Sequence, residues 1–341
     1  MTKEQNLIYD PIWNRIINRW LISFYLRPFV RSRSKLPREV IHRNIYLFSY
    51  PRSGSTWLEQ LLLTIPKSGA IHEPLWRGQI HTDGTMPSQK IGRCDEVRNL
   101  DFYFTQPIPE EAEWSEAEEF FKSLLKLEIG KLGLFNECKL SLLKDYDRFI
   151  FKFCYGNLLM TWLIKKFAIK PILLVRHPCA VVHSQLMMKN WKLFLTPELK
   201  LPHFKFSQSL EEYSEVLESI NTVEEKLAAY WCINHVGILS HSGRNSQWLM
   251  VTYEELLKES KRELHRIFDW IDVPLPQEIW NGISTPSKST NAHSIPYLES
   301  NNQLSAWQER LTHDQVSRIL NVVKTFNIEL YNDSIYPNHS K

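Results

Sequence analysis

Apolar residues recur along the chain with two different periods. The run RNIYLFSY (43–50) is short, β-prone and closed by Pro51, so it reads as a buried strand. FIFKFCY (149–155), PILLVRH (171–177) and QWLMVTY (247–253) read the same way. After them the period lengthens to that of a helix. STWLEQLLLTI follows the first run, GNLLMTWLIKKF lies between the second and third, and EELLKESKRELHRIFDWI follows the fourth. Strands alternating with helices predict an α/β fold, a central parallel sheet in a three-layer arrangement covered by helices.

Three segments stand outside that alternation. Residues 11–30 place Trp13, Ile16, Ile17, Trp20, Leu21 and Phe24 at helical spacing, with Arg15 and Arg19 off the stripe. Two readings stay open: a helix packed on the body, or an interfacial helix touching a membrane surface. Residues 77–120 are polar and end in PEEAEWSEAEEF, with six Glu between 110 and 119. Residues 189–222 carry Pro197 and Pro202 before a polar helical run. Long insertions of this kind often bear substrate contacts, although a glutamate run also suits a solvated helix face.

Composition changes the picture in a few respects. The chain has 341 residues, 43% hydrophobic, with no linker-like stretch, which predicts one large domain over 44–335 behind an N-terminal arm over 1–43. Residues 1–43 hold nine Lys/Arg against three Asp/Glu, so a net charge of +3 hides a basic arm and a mildly acidic body. That distribution argues against nucleic-acid binding by the body. The five cysteines form no CxxC pair and no metal-ligand spacing, and so read as reduced thiols in the cytoplasm. No stretch approaches the ~20 apolar residues of a membrane span, and no signal-peptide pattern is evident.

The chemistry begins at SYPRSGSTW (49–57), between the first strand and its helix. Strand, tight loop and helix aim backbone N–H groups and a helix N-terminus at an anion. Gly54 allows close approach, Ser53, Ser55 and Thr56 supply hydroxyls, and Arg52 supplies a fork of N–H donors. The lysine of a nucleoside-triphosphate loop is absent, and no acidic strand end is placed to hold Mg²⁺. LLVRHPCAVVHSQ (173–185) repeats the strand–turn–helix pattern, with Arg176 at the strand end and Ser184 on the helix. Two separated phosphate sites suggest a 3′,5′-bisphosphorylated nucleotide.

Together YPRSGSTW and VRHPCAVVHS resemble the 5′-phosphosulfate and 3′-phosphate motifs of the PAPS-dependent sulfotransferases (PAPS is 3′-phosphoadenosine-5′-phosphosulfate). The form with PRSGST is closer to the carbohydrate and tyrosylprotein branches and their bacterial relatives. The resemblance runs from about residue 45 to LSAWQERL near 311. It departs at His177, where the family's 3′-phosphate motif carries an acidic residue; a change of packing is expected there. The resemblance implies a P-loop-type fold, PAPS as co-substrate, PAP as product and no metal. It implies nucleotide contacts from Arg52, Ser53, Gly54, Ser55, Thr56, Trp57, Arg176, Ser184 and Tyr253. Trp57 matches a tryptophan that stacks on adenine, though core packing suits it equally. Glu73 in IHEPLW resembles the acid before the acceptor cleft and is the expected base, with His72 its rival. Lys152, costly to bury unless it faces an anion, matches the lysine that meets the departing phosphate, and Arg52 shares that work. STPSKSTNAHS (284–294) resembles a late loop over PAPS, with Ser289 expected at the phosphosulfate and Lys288 beside it.

The expected reaction is therefore in-line sulfuryl transfer to a hydroxyl. A P-loop kinase-like phosphotransferase and a non-catalytic PAP-binding module remain as alternatives. The acceptor stays open among a neutral glycan hydroxyl, a phenolic or tyrosyl group and a lipid-linked hydroxyl. A polyanionic glycan is disfavoured if the acidic 109–119 stretch lines the cleft. Expected partners are that acceptor, a membrane surface met peripherally through residues 11–30, and, since the family often forms dimers, a second copy of the chain.

Overall fold

The computed structural model describes residues 17–76, 100, 106–154, 156–188, 205–241, 246–288 and 300–338. Residues 17–21 are helical, Ile22–Leu26 form a wider π turn, and Arg27–Ser34 (α1) continue it. The order is then Ile45–Ser49 (β1), Ser55–Leu62 (α2), Ser68–His72 (β2), Ser115–Leu125 (α3), Arg148–Phe153 (β3), Met160–Phe167 (α4) and Pro171–Val175 (β4). Pro178–Leu186 (α5), Val223–Ser240 (α6), Leu249–Thr252 (β5), Tyr253–Lys258 (α7), Ser260–Trp270 (α8), Ser300–Arg310 (α9) and His313–Thr325 (α10) follow. The five strands form one parallel sheet in the order β2-β3-β1-β4-β5.

The strands' uninterrupted apolar character follows from burial on both faces. Alternate residues serve two cores. Tyr46, Phe48, Phe151, Phe153, Leu173 and Val175 pack with α3, α4, α5 and α6. Ile45, Leu47, Ile150, Ile172, Leu174 and Val251 pack with α2 and α8 on the other face. This period of two puts Lys152 on the α2 face with Ile150. After β1 the chain passes to the β2 side, and after β4 to the β5 side. The crevice beyond the carboxyl ends of β1 and β4 is thus the switch point, where open α/β sheets bind ligands.

The four predicted strands are present, and a fifth, β2, is not in the sequence expectation. Its SGAIH has too few apolar residues to stand out. Gly69 is needed there for space, since a Cβ would lie 2.9 Å from Phe149 and Tyr146 side-chain atoms. The 254–271 helix is divided at Glu259 into α7 and α8. The acidic stretch does not behave as one helix face: Glu110, Glu111 and Glu113 precede α3 and pair with His241, Lys165 and Lys166. Lys165 and Lys166 end α4, just before β4 begins, so these pairs sit where the strands start, at the end of the sheet opposite the phosphate loop. The condition that disfavoured a polyanionic acceptor is therefore not met by these three glutamates.

The described part of the N-terminal arm divides between its two readings. Leu26 and Phe29 are buried, Phe29 packs on Phe135 and Phe149, and the Arg33 Nε donates to the Lys126 carbonyl at 3.0 Å. Ile17, Trp20 and Phe24 are exposed by 49%, 49% and 62%.

Candidate active site

The loop after β1 turns sharply. Arg52 and Gly54 both take the left-handed conformation, at φ 75° and 93°, and the Ser53 N–H donates to the Tyr50 carbonyl at 3.1 Å. Gly54 is required twice over. Its φ disfavours any other residue, and a Cβ would lie 2.4 Å from the Tyr253 ring. Gly54→Ala should therefore displace Tyr253 or the loop, and weaken PAP binding at least tenfold by calorimetry while the far-ultraviolet dichroism stays unchanged.

The second loop meets the first. The Arg52 Nε donates to the Ser184 Oγ at 3.0 Å, and the Arg176 Nη1 donates to the Arg52 carbonyl at 3.2 Å. The Arg176 guanidinium lies over the Tyr253 ring, 4.5 Å from its centroid. Burial and the neighbouring Arg176 charge lower the pKa of Arg52. Neither arginine forms an ion pair with a carboxylate among the described residues. The Ser53 Oγ and the Arg176 Nε are buried with no partner there. Two close cations with unsatisfied donors are costly unless an anion joins them. Trp57 is buried in the α2-side core with its ring edge-on to Tyr253, centroids 6.0 Å apart. That places it in the core rather than on an open surface.

His177 explains its departure from an acidic residue. Its Nδ1 accepts from the Cys179 N–H at 3.1 Å, capping α5, and its Nε2 donates to the Asn332 carbonyl at 2.9 Å. The ring stacks on Trp307 with centroids 4.6 Å apart. The His177 backbone N–H donates to buried Glu254, which also accepts from the Tyr331 hydroxyl. A protonated Nδ1 could not accept the cap. Burial accordingly lowers its pKa to about 4, and burial does the same for His183 and His235. The unfolded chain takes up these protons near the ordinary histidine value. The contribution of these three histidines should therefore be constant above that value and be lost as pH drops from about 6.5 towards 4. Scanning calorimetry between pH 7.5 and 4.5 checks this; a melting temperature flat over the range would contradict it.

The third part of the site stands at the end of β3. Lys152 is 2% exposed, and its ammonium is held by three groups. The Nζ lies 3.0 Å from the Glu73 Oε1, 3.0 Å from the Thr56 Oγ1, to which it donates, and 3.3 Å from the His72 Nε2. Glu73 sits at φ 51°, just beyond β2. Its N–H donates to the Lys152 carbonyl at 3.0 Å, and its Oε2 accepts from the Cys154 N–H at 3.1 Å. Burial raises the pKa of Glu73; the Lys152 charge, foremost, and the Cys154 N–H lower it and prevail. Burial pushes the Cys154 thiol up to about 12, so it is a neutral contact for Ser49 and Ser55 and not a nucleophile.

Arg52, Ser53, Gly54, Ser55, Thr56, Arg176, Ser184, Tyr253, Glu73 and Lys152 thus surround the ends of β1, β3 and β4. Ser289 lies outside the described residues. Lys288 lies at the edge of the described chain and pairs with Glu137 at 3.6 Å. No group of three or more His, Cys, Asp or Glu able to hold a metal occurs among the described residues. The sequence reading did not single out Glu59, Cys154 or Glu254.

The model of the sulfotransferase domain matches residues 42–325. The chain belongs to the sulfotransferase domain family. The matched span includes both anion loops, Glu73 and Lys152. Solved structures similar to this sulfotransferase include the sulfotransferase domain of the curacin biosynthetic pathway, 19% identical, covering 84% of this chain and 98% of that one, with a TM-score of 0.42. The sulfotransferase domain of the Synechococcus PCC 7002 olefin synthase is also 19% identical, covering 85% and 95%, with a TM-score of 0.44. Mouse sulfotransferase SULT7A1, solved with PAP, is 17% identical, covering 83% of each chain, with a TM-score of 0.39. Comparison with curated proteins gave no match.

Proposed function

We propose that this sulfotransferase moves the sulfuryl group of PAPS to an acceptor hydroxyl, with Glu73 as the general base. The observation that carries this reading is the meeting of the two anion loops at the switch point, with the Ser53 Oγ and the Arg176 Nε unpartnered among the described residues. Those donors fit two phosphate groups on one nucleotide. Ser53, Ser55, Thr56 and Arg52 hold the 5′ side, Arg176 and Ser184 hold the 3′ side, and Tyr253 flanks both.

Chemically, the acceptor oxygen bonds to sulfur while the sulfur–oxygen bond to the 5′-phosphate breaks. The acceptor proton passes to the Glu73 carboxylate. The electron pair of the broken bond stays on the departing phosphate, where Lys152 and Arg52 meet the charge. The Lys152–Glu73 pair gives this a sequence. While Lys152 holds Glu73, the carboxylate is ionised but weakly basic. When the ammonium turns to the phosphate, the largest influence opposing burial weakens, and the basicity of Glu73 rises.

The acceptor is a glycan, phenolic, tyrosyl or lipid-linked hydroxyl. A screen with ³⁵S-labelled PAPS and no added Mg²⁺ separates these classes. Transfer of γ-³²P from ATP in place of ³⁵S from PAPS would overturn the reading in favour of a kinase-like enzyme.

The exposed Ile17, Trp20 and Phe24 favour a further element, peripheral contact with a membrane surface. No acidic residue occurs between Asp10 and Glu39, and Arg19, Arg27, Arg31 and Lys35 are exposed in that span. Aromatic anchors with a basic surround suit anionic lipid. Phe29 packs beside Phe149 near the start of β3, whereas Lys152 stands near its end. The full chain should sediment with vesicles of phosphatidylcholine and phosphatidylglycerol. A Trp20→Ser/Phe24→Ser variant should lose at least three-quarters of that binding and keep its PAP affinity. Equal sedimentation of both proteins would refute the contact.

A further inference from the structure

Glu59 is an unexpected residue to find where it is. It lies on α2 among Leu58, Leu61 and Leu62, and it is 3% exposed. Its Oε1 is buried with no partner among the described residues. A carboxylate so placed is costly. Its compensation is the His72 Nδ1, 2.7 Å from the Oε2. On the far side of the same ring, the His72 Nε2 lies 3.3 Å from the Lys152 Nζ. The four side chains form one line from core to cleft: Glu59, His72, Lys152, Glu73.

The chemistry of the imidazole gives this line a direction. An ammonium has only protons to offer, so the Nε2 must present a lone pair to Lys152. The proton of neutral His72 must then sit on Nδ1, which needs an acceptor beside it, and Glu59 is that acceptor. A helix residue five positions after Gly54 therefore decides which face His72 turns to the cleft. The spacing serves this purpose: Thr56 and Glu59 are three apart on α2, so both face β3.

We propose that Glu59 is a positioning residue for sulfuryl transfer: it fixes the tautomer of His72, and His72 in turn holds the Lys152 ammonium between the phosphate loop and the base. The inference rests on the roles given above to Lys152 and Glu73. His72 is then the neutral third support of the ammonium and not the base. It keeps Lys152 in place while the ammonium exchanges its carboxylate partner for phosphate oxygens. Without Glu59 the ring is free to carry its proton on Nε2, which would face the ammonium with an N–H and push it away.

The test uses the full chain labelled with ¹⁵N. Long-range ¹H–¹⁵N correlation reads the ring nitrogens of His72, whose signal is assigned by its loss in His72→Gln. Wild-type protein should show a proton on Nδ1 and none on Nε2. Glu59→Leu, which removes the acceptor, should move at least a third of the population to the Nε2–H form. It should also slow the turnover of PAPS to PAP, with water as acceptor, by tenfold or more, while PAP affinity stays within twofold. His72→Gln offers Lys152 an amide oxygen without help from Glu59. It should retain more turnover than His72→Phe, and adding Glu59→Leu to it should cost nothing further. Glu59→Met serves if the Leu variant is misfolded by circular dichroism. An Nε2–H tautomer in the wild type, or the same tautomer in wild type and variant, would overturn the proposal. Full turnover in Glu73→Gln with the tautomers as expected would instead strike the base and leave Glu59 standing.

Discussion

Glu73→Gln is expected to lower sulfuryl transfer by a hundredfold or more and to leave nucleotide binding nearly unchanged. A positioned general base contributes about 10²–10⁴-fold, and glutamine keeps the shape and the Cys154 N–H contact while it cannot accept the proton. The Lys152 ammonium loses one partner of three and keeps Thr56 and His72, so the loop it supports should survive. The pH dependence follows from the same geometry. The Lys152 charge and the Cys154 N–H prevail over burial and hold the Glu73 pKa below its ordinary value. The ionised base therefore persists as pH falls through the usual carboxylate range, and kcat/KM should lose its acid limb only below it. In Lys152→Met the largest influence opposing burial is gone, and that limb should move upward. Unchanged transfer in Glu73→Gln, measured with any acceptor that accepts ³⁵S from PAPS, would remove Glu73 from the reaction.

Arg176→Ala is expected to have the largest effect on binding. Arg176 spans the two loops, touching the Arg52 carbonyl and the Tyr253 ring, and its Nε has no partner among the described residues. Truncating one member of a buried, charge-assisted contact costs about 3 kcal/mol, or roughly a hundredfold in Kd. The loss should fall on 3′-phosphorylated nucleotides. PAP should drop towards the affinity of 5′-AMP, and 5′-AMP itself should change little. Equal losses for both ligands would mean that Arg176 supports the fold of the loop and does not read the 3′-phosphate.

The strands β1, β3, β4 and β5 were legible because a strand covered on both faces must be apolar throughout. The same rule made Lys152 conspicuous, since a lone cation in such a strand needs a reason. β2 was not legible: its glycine is there for lack of space beside Phe149 and Tyr146, and a close approach leaves no periodic signal. Glu59 was hidden for the opposite reason. In STWLEQLL it reads as part of a polar helix face, yet its face of α2 turns inward to His72. The relevant cue was its spacing of three from Thr56, which is visible in the sequence but gains meaning only once β2 is placed. His177 could be seen to depart from the family motif. That it caps α5 and stacks on Trp307 depends on chain more than a hundred residues away.

The measurement that bears most directly on the central claim is calorimetry of PAP, 5′-AMP and ATP against the full chain without added Mg²⁺. Binding of PAP at micromolar affinity or better, roughly −8 kcal/mol, with 5′-AMP far weaker, is the expected result. Binding of ATP that needs Mg²⁺, with none of PAP, would contradict the two-phosphate site built from Arg52, Ser184 and Arg176.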